Sequence, residues 1–179
     1  AIEVYPAEMA PSSLAPHEYV VPSSWRLLAT MNSYDKTSLY EMSYAFMRRF
    51  SFIHIDAPEI PTDEVERRHL LSQYLDVWEQ DAERNVVDAI GDIWSITNTV
   101  VGHRKIGPAI VKDMLRQVSN SSAPLEQAVT RAVTSYVFPQ LEGVQRRKQI
   151  IARLASAEAV DSDRIRTLAE DILRVEIDG

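Results

Sequence analysis

The residue types best suited to chemistry stand at two places. Asn32 follows directly on the mostly apolar run Trp25–Met31, and the pair Arg48–Arg49 directly precedes a second apolar run, Phe50–Ile55. A carboxamide donates on one side and accepts on the other, so an asparagine at a strand end can hold a ligand oxygen or a water. Asparagine there also forms turns with no further role. A guanidinium is planar and permanently charged, which suits an arginine to charge developing on a transferred phosphoryl group. Equally, one arginine of such a pair can settle a helix C-terminus through its dipole while the other pairs on the surface. Arg104 and Lys105 form a third basic point, able to reach an anion or to sit in a solvated loop.

Several patterns that resemble sites fail on inspection. Gly102 and Gly107 have the spacing of a phosphate loop, but Pro108 and Ala109 stand where lysine and serine or threonine are required, and the segment follows a helix. Phe52–Asp56 reads as an apolar strand ending in an aspartate, yet Ala57 stands where a glutamate is expected. His17, His54, His69 and His103 lack metal-ligand spacing and there is no cysteine, so neither a disulfide nor a thiolate metal site can form. Arg146-Arg147-Lys148 reads as a solvated helix face.

Positioning these residues needs a core, and 179 residues with 45% apolar content are enough for one domain or a domain piece plus a small second domain. Nineteen basic against 26 acidic residues give a net charge of −7, which argues against a surface built for phosphate backbones. Direct nucleic-acid contact is disfavoured. No membrane span or signal pattern is legible, and the expected location is the cytoplasm. The start at Ala1, followed at once by an extended stretch Ile2–Tyr5, reads as a cut through a longer protein.

Four prolines between residues 6 and 24 suit a loop or short hairpin arms. Trp25–Met31 and Phe50–Ile55 have strand length and composition. Between them, Ser38 and Glu41 form a capping box that opens a short helix, Leu39–Met47. Asp56–Pro61 breaks the chain, and everything after it has helical period. Thr62 caps a helix whose apolar face runs from Val65 to Trp78. A second helix covers Asn85–Val101, stopped by Gly102, and Pro108 and Pro124 each open another. Two more follow, Gln140–Leu154 and Ser162–Arg174. The expected class is mainly α with a small α/β part, divided into 1–57 and 58–179.

Thr30-Met31-Asn32, the intervening helix and Ala45-Phe46-Met47-Arg48-Arg49-Phe50 together resemble the segment from sensor 1 to the last core strand in AAA+ ATPases of the MoxR and McrB type. The resemblance is carried by residues 21–56, and the helical remainder is compatible with that family's lid. It implies the end of a parallel-sheet nucleotide-binding core, two or three strands, followed by a helical-bundle lid. Asn32 would be sensor 1, and Arg48 and Arg49 the arginine-finger candidates. Sensor 2 is in doubt, because Ala109 stands where many relatives have arginine; Arg104 and Lys105 are the weaker substitutes. The family's cofactors are ATP, or GTP, and Mg2+. Its partners are neighbouring subunits of a homo-oligomeric ring and a protein substrate or effector subunit. With neither phosphate loop nor acidic magnesium site, this chain is not expected to bind nucleotide tightly or turn it over alone. The contrasting expectation is a non-catalytic helical interaction module. Unpaired core strands could also pair two copies edge to edge.

Overall fold

Among the described residues, strand-forming residues near the start pair with each other. The computed structural model describes residues 2–30, 48–100 and 105–175, and the chain divides into two units, Ala1–Ile53 and His54–Gly179. Among the described residues it is mainly helical with one small two-stranded parallel sheet.

In the first unit, β1 (Glu3–Pro6) pairs in parallel with β2 (Glu18–Val21), from Glu3 opposite Glu18 to Pro6 opposite Val21. A hairpin is therefore not the arrangement here. The prolines between them, with one short 3-10 turn at Ala7–Met9, carry the chain back to run in the same direction. The Tyr5 hydroxyl lies 2.7 Å from a Glu3 carboxylate oxygen and 3.1 Å from one of Glu18, which also accepts the Ala15 N–H at 2.7 Å. Those hydrogen bonds to Glu3 and Glu18 push the phenol up to about 12.

The strand expected at Trp25–Met31 is absent over its described part. Residues 25–30 form no strand and are exposed. The Trp25 N–H instead donates to Pro22 O at 2.9 Å, and the Arg26 guanidinium donates to the carbonyls of Ser23 and Trp25. Phe50–Ile55 likewise forms no strand. The physical reason is shared: an apolar run makes a strand only where a neighbour pairs its backbone. The capping-box helix Leu39–Met47 lies outside the described residues.

The second unit is built from α1 (Glu64–Trp78), α2 (Arg84–Val100), α3 (Pro108–Ser119), α4 (Leu125–Ala132), α5 (Arg147–Ala155) and α6 (Ser162–Leu173). Asp63 caps α1 by accepting the Glu66 N–H, one residue after the expected Thr62. An aspartate is the stronger cap and adds its charge to the positive end of the dipole. Val65, counted on the apolar face, is exposed. Pro108 occupies the first turn of α3 as expected, whereas Pro124 stands one step outside α4.

The expected long helix over 140–154 is shorter. Past α4 the chain widens into a π turn, Val133–Val137, tightens into a 3-10 turn, Phe138–Leu141, and breaks at Gly143, whose φ of 74° favours glycine. Only then does α5 begin.

Helix α2 lies at the centre, in contact with α1, α3, α4 and α5. Ile90, Ile93 and Trp94 are buried on it, against Leu71 of α1, Met114 and Leu115 of α3, and Ile150 and Leu154 of α5 within one apolar core. Gly91 lets α1 approach: a Cβ there would come within 3.0 Å of Leu71 Cδ1 and 3.4 Å of Arg67 Cγ. Aromatic contacts extend the packing, with Tyr74 stacked on Trp78 at 5.0 Å and edge-on to Trp94 at 6.0 Å.

Replacing Gly91 by Val overfills the α1–α2 contact and lowers stability by about 1–3 kcal/mol in denaturant titration. The Tyr5 phenol, raised from 10.0 to about 12 in the fold, contributes stability that is complete below its unfolded value and is lost as pH rises through the folded one. Ultraviolet titration should show a late phenol component that Tyr5→Phe removes.

Candidate functional site

The residues singled out for chemistry are unequally placed in the structure. Arg48 and Arg49 are described and exposed, in a turn just before Phe50. Lys105 is described and exposed. Asn32 and Arg104 lie outside the described residues. The structure thus presents the two arginine-finger candidates, in the first unit, and one of the two sensor 2 candidates, in the second, as exposed side chains.

Lys105 nevertheless sits on a backbone that is firmly held. Next to it, Ile106 is buried, and its peptide is gripped from both sides by one side chain: Asn98 Nδ2 donates to Ile106 O at 3.0 Å and Asn98 Oδ1 accepts the Ile106 N–H at 2.8 Å. The Trp94 indole donates to the same carbonyl at 2.8 Å. Asn98 and Trp94 stand four apart on α2, hence on one face, and both are buried. A carboxamide is the side chain that can mimic a strand partner for a single peptide. The grip fixes the approach to α3, whose first turn opens at Gly107 and Pro108. Lys105 is therefore an exposed cation beside this held residue, three positions before α3 begins at Pro108.

A second polar arrangement ties α1 to α2. The buried Arg67 guanidinium donates to Pro61 O at 3.2 Å and Thr62 O at 3.0 Å, and pairs with Asp92. Arg68 pairs with Asp88 at 2.5 Å and with Glu64, and Arg84 reaches Asp88 at 3.7 Å. The Asp88 hydrogen bond, ahead of its charge, raises Arg68 above its ordinary value, so the pairing holds at any physiological pH. These contacts anchor the segment that enters the bundle. Their sequence signal was the Asp88–Asp92 pair, four apart on a helix otherwise mostly apolar over 86–94, facing the consecutive Arg67 and Arg68.

Among the described residues no group of three or more His, Cys, Asp or Glu could hold a metal ion, and no helix is long and apolar enough to cross a membrane. No protein-family model, curated protein or solved structure matches the chain.

Removing the Asn98 carboxamide leaves the buried Ile106 N–H unpaired, which costs about 1–3 kcal/mol. Asn98→Ala should lower stability by that amount and speed amide exchange at Ile106 well before the rest of α3. Exchange at Ile106 that stays as slow as at Met114 would contradict the grip.

Proposed function

We propose that this chain supplies the sensor 1 segment, the arginine-finger segment and the helical lid of an AAA+ ring ATPase, and that the phosphate-binding part of the core comes from outside these 179 residues. The observation that carries the reading is the pair of uncovered apolar runs that bracket the motif. Leu28 is 92% exposed, Ile53 84% and Ile55 86%, although both runs have the composition of buried strands. Uncovered hydrophobic surface of this kind marks a contact to be made, and the neighbouring strands of a parallel sheet would make it. Helices following the second run suit a lid joined to such a core.

In this reading Asn32, at the end of the first run, faces the terminal phosphate and orients the attacking water. Arg48 or Arg49 reaches the nucleotide of the neighbouring subunit, so that hydrolysis depends on ring assembly. Lys105 approaches the phosphates from the lid, on the backbone held by Asn98, with Arg104 as the other candidate. The described residues do not fit a magnesium site. ATP or GTP would serve as substrate. Lid rotation between nucleotide states would move a bound protein target or effector subunit. The two domains are then 1–57, the end of the core, and 58–179, the lid.

A second reading, a non-catalytic helical interaction module, is favoured by one observation: the helical unit has a complete apolar core of its own. The two are separated by hydrolysis. In the protein that includes the phosphate-binding part, exchanging the finger arginine for alanine should lower turnover by about 10³-fold or more, and Asn32→Ala should also lower it. The 179-residue chain alone should show no turnover. Hydrolysis by the isolated chain at the family's usual rate, or unchanged function after replacing Asn32, Arg48 and Arg49 together, would overturn the proposal.

A further inference from the structure

Two surfaces of the helical unit carry opposite charge on side chains that make no ion pair among the described residues. The first is a groove of about 530 Å³ between α4, the π turn and the start of α6, bordered by Gln127, Arg131, Ser135 and Arg164, with Thr130 and Leu168 at its floor. Gln127 and Arg131 stand four apart on α4, a rise of about 6 Å along one face, and Ser135 follows in the π turn. Arg164 adds a second guanidinium from α6. The groove's acid, Asp161, is already engaged, accepting the Arg164 N–H at 2.9 Å. Thr130 is engaged as well: its hydroxyl donates to Glu126 O at 2.7 Å and accepts the Asp161 N–H at 2.9 Å.

The second surface is the link between α1 and α2. Glu79, Asp81 and Glu83 occupy alternate positions there and are all exposed. Two residues of chain span at most about 7 Å, which matches the step between donors along the groove. The link and the groove cannot meet within one copy. Asp81 and Glu83 border a separate cavity of about 540 Å³ with Leu125 and Ala128, so they lie beside α4 on a different face from Gln127 and Arg131.

We propose that the acidic link Glu79–Glu83 of one copy docks in the Arg131–Arg164 groove of a second copy. The contact joins unlike surfaces, so repeating it head to tail closes a ring or extends a filament. Carboxylates set against guanidiniums give charge-assisted, orientation-specific bonds. The docking uses residues of the helical unit alone and does not depend on the nucleotide reading.

Charge reversal tests it. Sedimentation of the 179-residue chain should show self-association that weakens about tenfold or more in Arg131→Glu/Arg164→Glu and also in Asp81→Arg/Glu83→Arg, because like charges then face each other. Mixing the two variants should restore a complex, since each retains the surface the other has lost in complementary form. The neutral pair Arg131→Gln/Arg164→Gln, with helicity checked by circular dichroism, gives a second reading should a reversal disturb folding; it too should weaken association. A chain that stays monomeric at all concentrations, or association indifferent to these changes, would overturn the proposal. So would an octaglutamate peptide that binds the groove arginines of a chain showing no self-association, since the occupant would then be a foreign acidic segment.

Discussion

Burial of helix α2 is the constraint on which the helical unit depends. Its apolar residues point to more than one side, and α1, α3, α4 and α5 pack on it. A helix covered so completely leaves its polar side chains few options, and each buried one is satisfied locally. Thr97 donates to Ile93 O at 2.7 Å, Asn98 pairs with both the N–H and the carbonyl of Ile106, and Trp94 turns its indole N–H to that Ile106 carbonyl. Unpaired, each would cost free energy comparable to a core methylene or more. The polar contacts therefore fix direction where the apolar ones supply attraction. Asn98 sets where the chain enters α3, and Arg67 sets where it enters α1.

That division explains what sequence could and could not disclose. Helices α1, α2, α3, α4 and α6 were legible because apolar residues recur at helical spacing and because Pro108 and the helix-favouring caps mark starts. The region after α4 was not, because Val133, Val137, Phe138 and Leu141 are all apolar and continue the pattern while the backbone changes its winding. Periodicity records which side chains are buried, and it does not record a shift from α to π to 3-10 turns. Gly143 was the available signal for the break before α5.

Trp25–Met31 and Phe50–Ile55 show the opposite failure. Composition marks them as strands, but a strand is a property of a pair, and pairing depends on a partner that a single run does not specify. Glu3–Pro6 and Glu18–Val21, shorter than either, form the sheet because they meet each other in register. The candidate residues divide in the same way. Arg48, Arg49 and Lys105 were singled out from their types and neighbours, and all three are exposed. The Asn98 grip was not foreseen, since an asparagine on a helix gives no sign of the distant peptide it will hold.

The helical unit has an apolar core of its own, whereas Leu28, Ile53 and Ile55 of the two apolar runs before it are exposed and, in the proposed reading, would be covered by neighbouring strands. Hydrogen exchange along the 179-residue chain tests this most directly. Amides of Ile90, Ile93 and Met114 should be strongly protected, whereas amides over 25–30 and 50–55 should exchange at rates close to those of a free chain and slow only when the proposed phosphate-binding part is supplied. Protection over 25–30 and 50–55 equal to that of α2 in the isolated chain would contradict the account, because those runs would then already have the partners it assigns elsewhere.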